Sequence, residues 1–203
     1  MTGPFALGDE EAGTDPAEQF RRWFDDARSV MEVAADMMIL ATATPDGRPS
    51  ARAVLLRGWD ERGLVFFTDA RSRKGVELAA NPRAAVVVVW PPRERQVRAE
   101  GPVAPVAGDE ADAYFARRPR GHRLSAWASH QSTPIGGRDE LDARMARLDA
   151  EHGEDVPRPP WWGGYRLIPV EWEFWQGRPN RVHDRVRYRR AADGGWARDR
   201  LSP

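Results

Sequence analysis

The chain contains no cysteine, which excludes a disulfide scaffold and any thiolate zinc or iron–sulfur site. It carries no net charge either, since 31 basic residues balance 31 acidic ones. A global nucleic-acid binder shows a basic excess, and none is present. No apolar run approaches the roughly 20 residues needed to cross a bilayer, and the N-terminal stretch lacks the basic start and apolar core of a secretory signal. The expectation is a cytoplasmic protein without a membrane or nucleic-acid partner. There is no Gly-rich phosphate loop between strand and helix, no His-Glu-x-x-His and no cysteine nucleophile; histidine is confined to positions 122, 130, 152 and 183. Lysine is nearly absent as well. Of the 31 basic residues one, Lys74, is lysine and the other 30 are arginine. A GC-rich coding bias explains the trend, yet ammonium and guanidinium differ as anion ligands, so the lysine that remains is a candidate for a site requiring a point charge.

What is present is an ordinary globular chain of 203 residues, 41% hydrophobic and 31% charged. Residues 1–13 read as a disordered tail and 14–203 as a single domain. Asp15-Pro16-Ala17-Glu18 has the cap, first-turn proline and acidic third position of a helix start. Phe20, Trp23, Phe24 and Ala27 then recur at helical spacing to about residue 31. Strands are expected over 37–44, 51–57 and 64–68, with turns at 45–48 and 58–63. Ser72 caps a short helix that Pro82 stops. The Val- and Ala-rich run 84–90 suits a strand buried on both faces, with 94–101 as its partner. Helices are expected over 110–117, 123–129 and 139–152, then further strands over 165–169, 171–176, 185–190 and 195–201. The late strands hold too few apolar residues for a core of their own, so they belong to the same sheet. The fold class is α+β: six to eight antiparallel strands curled into a barrel, with peripheral helices.

Three basic clusters draw attention. Thr68 closes a strand and Ser72-Arg73-Lys74 opens a helix, an arrangement that reads either as a phosphate cradle or as a capped helix with solvated charges. Tyr114 and Arg118 lie one helical turn apart, beside Arg117 and Arg120, and read equally as an anion site or a solvated helix end. In an extended segment Arg181, His183 and Arg185 would share one face, which reads as a site for an anionic or electron-rich ligand. Arg52 and Arg57 flank an apolar stretch at an odd offset. A regular strand would send them to opposite faces, so either a bulge intervenes or they serve different ligands.

In this order and spacing the clusters resemble the pyridoxine/pyridoxamine 5′-phosphate oxidase family. The resemblance runs from Asp15-Pro16 to Arg200-Leu201-Ser202-Pro203. Its most specific stretch is Glu173-Phe174-Trp175-Gln176-Gly177 with Arg181-Val182-His183-Asp184-Arg185. It implies an antiparallel split β-barrel homodimer, with flavin mononucleotide (FMN) in each of two clefts at the subunit interface. The implied reaction oxidises pyridoxamine or pyridoxine 5′-phosphate to pyridoxal 5′-phosphate, with O2 as acceptor and H2O2 released; the flavin carries the difficult chemistry.

By position, the resemblance implies FMN contacts from Arg52, Ala53, Val54, Leu55, Leu56 and Arg57, and from Phe67 and Thr68. Arg73 and Lys74 would hold the flavin phosphate. Gln96, Gln131, Ser132, Trp175 and Arg185 would complete the ring and ribityl contacts. Arg57, Tyr114, Arg118 and His122 would surround the substrate phosphate, while Arg181, Val182 and His183 face the pyridine ring, with Arg181 and His183 as the catalytic pair. Three positions depart from the family pattern: Arg57 replaces a lysine, His122 a serine and Phe67 a tyrosine. Two other functions share the fold: an FMN-dependent oxidase of another metabolite, as in phenazine biosynthesis, and a flavin- or haem-binding protein without turnover.

Overall fold

The computed structural model describes residues 7–8, 12–31 and 33–203. Of the expected tail, most lies outside the described residues, but Leu7 and Ala12 are described and are buried in the main core. Helix α1 (Pro16–Arg28) starts as its sequence dictates. The Asp15 carboxylate accepts the Ala17 N–H at 2.9 Å, and proline occupies the first turn. Its apolar stripe caps one end of the curled sheet. Phe20 packs on Trp172 at 5.4 Å between centroids, Trp23 on Phe174 at 5.3 Å and Phe24 on Trp59 at 4.4 Å.

The ten strands exceed the expected count. They are β1 (Met37–Ala43), β2 (Pro49–Leu55), β3 (Gly58–Asp60), β4 (Gly63–Asp69), β5 (Arg83–Trp90), β6 (Arg95–Pro105), β7 (Trp162–Leu167), β8 (Glu171–Gln176), β9 (Asp184–Arg190) and β10 (Trp196–Arg200). The main path runs β10-β9-β8-β6-β5-β1-β2, and β3, β4 and β7 form a second leaf. Strand β6 joins the two: its first part pairs with β8, and Val103–Pro105 pairs with β7. A Cβ on Gly101 would meet the Ile168 carbonyl oxygen at 2.1 Å, so only glycine fits at this branch. The late strands share one sheet with the early ones, as their low apolar content requires.

Two local expectations fail. Gly58–Asp60 is a strand of a tight hairpin with β4 rather than part of a turn, its Trp59 drawn inward onto Phe24. The run 84–90 is buried on one face, not both: Ala84, Val86, Val88 and Trp90 face the core, while Val89 is 47% exposed. Met37, Ile39 and Leu55 are exposed on the same side, Met37 opposite Leu55 and Ile39 opposite Val87. Among the described residues nothing covers Met37, Ile39, Leu55 and Val89.

Outside the sheet stand α2 (Arg73–Ala80), α3 (Gly108–Ala116), α4 (Arg120–Ala128) and α5 (Arg138–Glu151). Helices α4 and α5 pack through Leu124, Ala128 and Leu148. Among the described residues no helix is long and apolar enough to cross a membrane.

Candidate active site

A cavity of about 1200 Å³ opens between β2, the end of β4, the start of α2 and helices α3 and α4. Six basic side chains line it, Arg52, Arg57, Arg73, Lys74, Arg117 and Arg118, against one carboxylate, Asp69. That carboxylate is already paired with Arg71 at 2.7 Å. Such a lining calls for anionic ligands.

Lys74 sits at the start of α2, where the Ser72 hydroxyl caps the helix and also accepts from its Nζ at 3.0 Å. Nζ donates further to Thr68 Oγ1 and Gln131 Oε1, both at 2.8 Å. The residue is 7% exposed. Burial, helped by the charge of Arg52 and opposed by Asp69, pushes its ammonium down to about 8. Gly75 lets this turn close, because a Cβ there would lie 2.2 Å from the Ala70 carbonyl oxygen. The cap, the lone lysine and Arg73 thus meet at the start of α2, with Arg73 and Lys74 on the cavity wall.

The Arg52/Arg57 question is settled by where β2 ends. The strand stops at Leu55; Leu56 N–H then donates to the Asp36 carbonyl, and Arg57 N–H to Val65 of β4. The chain thus crosses to the second leaf, strand parity lapses, and both arginines reach one cavity. Arg57 is held by Asp36 at 2.8 Å. Arg52 is inward-committed: its terminal nitrogens donate to Leu40 O, Thr42 Oγ1, Ser50 Oγ and Glu77 Oε2. Leu56, expected among the cofactor contacts, is buried in the core at 3% exposure and does not line the cavity.

Opposite Lys74, three rings form a slab. Phe67 stacks on Tyr114 at 3.9 Å and 4°, and on Trp162 at 5.4 Å and 6°. Arg118 lies over Trp162 at 4.7 Å, and its Nη1 is buried with no hydrogen-bond partner among the described residues. Burial first, then the charge of Arg57, lowers its affinity for its proton, while Tyr114 acts oppositely. The residue as a whole lines the cavity, where its charge favours an anion. His122, Gln131 and Ser132 line the same cavity.

The remaining expected residues lie elsewhere. Gln96, Trp175 and His183 line a second cleft of about 460 Å³, with Val89, Glu94 and Arg178. Arg181, Val182 and Arg185 line neither cavity. The expected shared face of Arg181, His183 and Arg185 is not formed. Pro179–Arg181 is a 3-10 turn with Asn180 and Arg181 at φ of 60° and 61°, so alternation begins only after it. His183 packs on Trp175 at 4.5 Å and accepts the Arg178 N–H through Nδ1. Arg185 is tied to Glu173 at 2.9 Å.

Sequence reading assigned no role to Trp162, Asp36 or Glu77. The i,i+4 spacing of Arg73 and Glu77 was visible on a helix; the other two pairings are long-range.

A family model described as pyridoxamine 5′-phosphate oxidase matches residues 25–152. A second, described as the pyridoxine 5′-phosphate oxidase C-terminal dimerisation region, matches 162–203. This chain belongs to the pyridoxine/pyridoxamine 5′-phosphate oxidase family. Family members bearing the name pyridoxine/pyridoxamine 5′-phosphate oxidase include one from Cupriavidus pinatubonensis, 54% identical over 98% of this chain and 93% of its own. Another, from Bordetella petrii, is 53% identical over 97% and 93%. The solved structure of PhzG from Burkholderia lata 383, in complex with tetrahydrophenazine-1-carboxylic acid, gives a TM-score of 0.89 at 35% identity over 98% of both chains. A pyridoxamine 5′-phosphate oxidase-related, FMN-binding protein from Nostoc punctiforme shares the fold, with TM-score 0.75 at 22% identity over 94% of this chain and 100% of that one. The oxidase-family fold is thus the split barrel that the sequence resemblance implied.

Proposed function

We propose that this protein is an FMN-dependent oxidase that converts pyridoxamine or pyridoxine 5′-phosphate to pyridoxal 5′-phosphate. The observation that carries the reading is a cationic cavity with two separate anion ends: the Arg73/Lys74 cradle and the orphaned Arg118 beside Arg57. A cofactor and a substrate that each bear a phosphate require two such ends. The identity of 54% to named oxidases supports this substrate over the phenazine-type alternative, whose structure is 35% identical.

The residues fit the cofactor. Lys74, Arg73 and the α2 amides would hold its phosphate, and Thr68, Gln131 and Ser132 its polar body. Bound flavin supplies the hydride acceptor and passes the electrons to O2. For the amine the balance is R–CH2NH2 + O2 + H2O → R–CHO + NH3 + H2O2. The protein's part is binding and orientation. Arg118, Arg57, Tyr114 and His122 would hold the substrate phosphate and so place the ring.

The second cleft supplies the other half of the site. The C-terminal match carries Trp175, Arg181 and His183, and the apolar face formed by Met37, Ile39, Leu55 and Val89 is uncovered. A two-fold dimer through that face would set one protomer's cavity against its partner's cleft, bringing the partner copy's equivalents of the catalytic pair to the ring. Among the described residues nothing marks a membrane protein, and the cytoplasm is the compartment we assign.

Purified protein should be yellow, bleach anaerobically with pyridoxamine 5′-phosphate and release peroxide when air is admitted; no bleaching refutes the reading. Ile39→Asp, which puts a carboxylate on the apolar face, is expected to raise the dimer dissociation constant at least about tenfold and to lower activity in parallel. Sedimentation beside the activity assay checks this, and a fully active monomer contradicts the shared site. Arg57→Ala should raise KM about tenfold with little change in kcat, since the phosphate is held alike in ground and transition states. Steady-state rates decide between that and a loss of kcat, which would place Arg57 at the reacting ring.

A further inference from the structure

Glu77 is a buried carboxylate outside the expected site, 4% exposed, on the face of α2 that packs against the sheet. Its Oε2 accepts from Ser50 Oγ at 2.5 Å, from Thr42 Oγ1, and from Arg52 Nη2 at 3.3 Å. Its Oε1 accepts from Arg73 Nε at 2.8 Å. One carboxylate therefore grips an arginine from β2 and an arginine from α2, with two hydroxyls completing its shell. Burial alone would push the group up, but the hydrogen bonds from Ser50, Thr42 and Arg73, with the charge of Arg73, hold it at about 2. It is ionised at any working pH.

The two arginines use this anchor differently. Arg52 lines the cavity but spends its terminal nitrogens on Leu40, Thr42, Ser50 and Glu77, so it completes the network. Arg73 has a side chain 58% exposed and keeps its terminal nitrogens free of the carboxylate, which binds through Nε alone. Unanchored, such a side chain explores many rotamers and loses them all on binding an anion. Arg52, Arg73 and Lys74 would also repel one another without a counter-charge, and Glu77, paired with both arginines, supplies it.

We propose that Glu77 is a positioning residue for the anion cradle: it fixes Arg73 beside Lys74 so that the cavity selects a flavin bearing a phosphate over one without it. This rests on the flavin reading above and deepens it. The negative charge of Glu77 acts the other way, since removing it raises the local positive potential. The direction of the measured change therefore separates ordering from bulk charge.

The test is a titration of apoprotein with FMN and with riboflavin, followed by flavin fluorescence, for wild type and Glu77→Gln. The expected result is an FMN dissociation constant raised about tenfold, the scale of a charge-assisted hydrogen bond, with riboflavin binding changed less than about twofold. On an Arg73→Ala background the same substitution should cost less than about threefold, because its client is gone. Equal losses in both backgrounds would mean that Glu77 merely ties α2 to the sheet, and tighter FMN binding would mean that charge dominates; either overturns the proposal. If Glu77→Gln does not fold, Glu77→Asp keeps the charge but withdraws it from Arg73 by one methylene, and the same FMN-selective loss is expected. A wild type that binds neither flavin refutes the proposed function itself, an outcome distinct from failure of the Glu77 role.

Discussion

Replacing Arg118 by alanine is expected to lower kcat/KM for pyridoxamine 5′-phosphate about 30- to 150-fold, the equivalent of about 2–3 kcal/mol for a charge-assisted contact made in a half-buried site. The guanidinium is placed without being satisfied. It lies 4.7 Å over Trp162 and 5.5 Å over Phe115, and Nη1 has no partner among the described residues. An anion in the cavity meets a guanidinium that lines it and is already held in place by two rings. Arg57 should matter less, because Asp36 at 2.8 Å neutralises it beforehand. The loss should fall on KM, and unphosphorylated pyridoxamine should be unaffected within about twofold. Since Nη1 has no hydrogen bond to lose, folding stability should change by less than about 1 kcal/mol. Kinetics with both substrates, alongside thermal unfolding, check this. An equal loss on both substrates would remove Arg118 from the phosphate site.

Lys74→Ala is expected to weaken FMN binding by about 1.5–3 kcal/mol, roughly 10- to 150-fold, with the fold retained. The ammonium donates to Thr68, Ser72 and Gln131, and those oxygens can turn to the ligand once the charge has a phosphate to face. The pH dependence gives a sharper signature. With the ammonium lowered from 10.5 to about 8 by burial, the ligand-free protein begins to lose this proton just above neutrality. FMN affinity should therefore be flat near pH 7 and fall above pH 8, by at most about tenfold per unit. The flavin phosphate, with a second pKa of about 6, keeps its charge across that range. Stability of the ligand-free protein should move oppositely. Between about 8 and 10.5 the unfolded chain binds more protons than the folded one, so stability rises with pH in that window. Lys74→Arg should abolish the decline in affinity, because guanidinium does not titrate there. Flavin titrations at several pH values compare the two proteins; a slope that persists in Lys74→Arg would assign the proton elsewhere.

Much of this molecule is legible locally. Helix α1 could be read because cap, proline and apolar stripe lie within fourteen consecutive residues and need no partner to be recognised. The Ser72 cap and the odd status of Lys74 are visible for the same reason, and the fold places Arg73 and Lys74 on the cavity wall. The Tyr114 and Arg118 cluster at the cavity is half legible. Tyr114 and Arg118 are one helical turn apart, but the tryptophan beneath Arg118 is 44 positions further on, brought there by the β4–β7 pairing.

Other readings failed where a partner surface decides the outcome. Apolar content alone cannot show that one face of residues 84–90 meets the core while the other, among the described residues, stays partly exposed. Strand parity leaves two alternatives for Arg57, and the choice falls to a change of leaf at Leu56 that is set by bonds to Asp36 and Val65 rather than by the local pattern. The Arg181 segment was misread because a turn at Pro179 and left-handed Asn180 interrupts the alternation that a period-two argument assumes.

By itself, the sequence determined the family, the α+β class, the antiparallel strands, the helix starts and the clusters of basic side chains. Each of these depends on neighbours within a few residues, or on motif order along the chain. Only the tertiary structure decided that Arg52 faces inward while Arg118 stays unpaired, that Glu77 joins two arginines, and that the expected site is divided between two clefts. Those outcomes depend on which strands pair across the branch in β6, and long-range pairing is governed by packing of the whole core rather than by any local stretch.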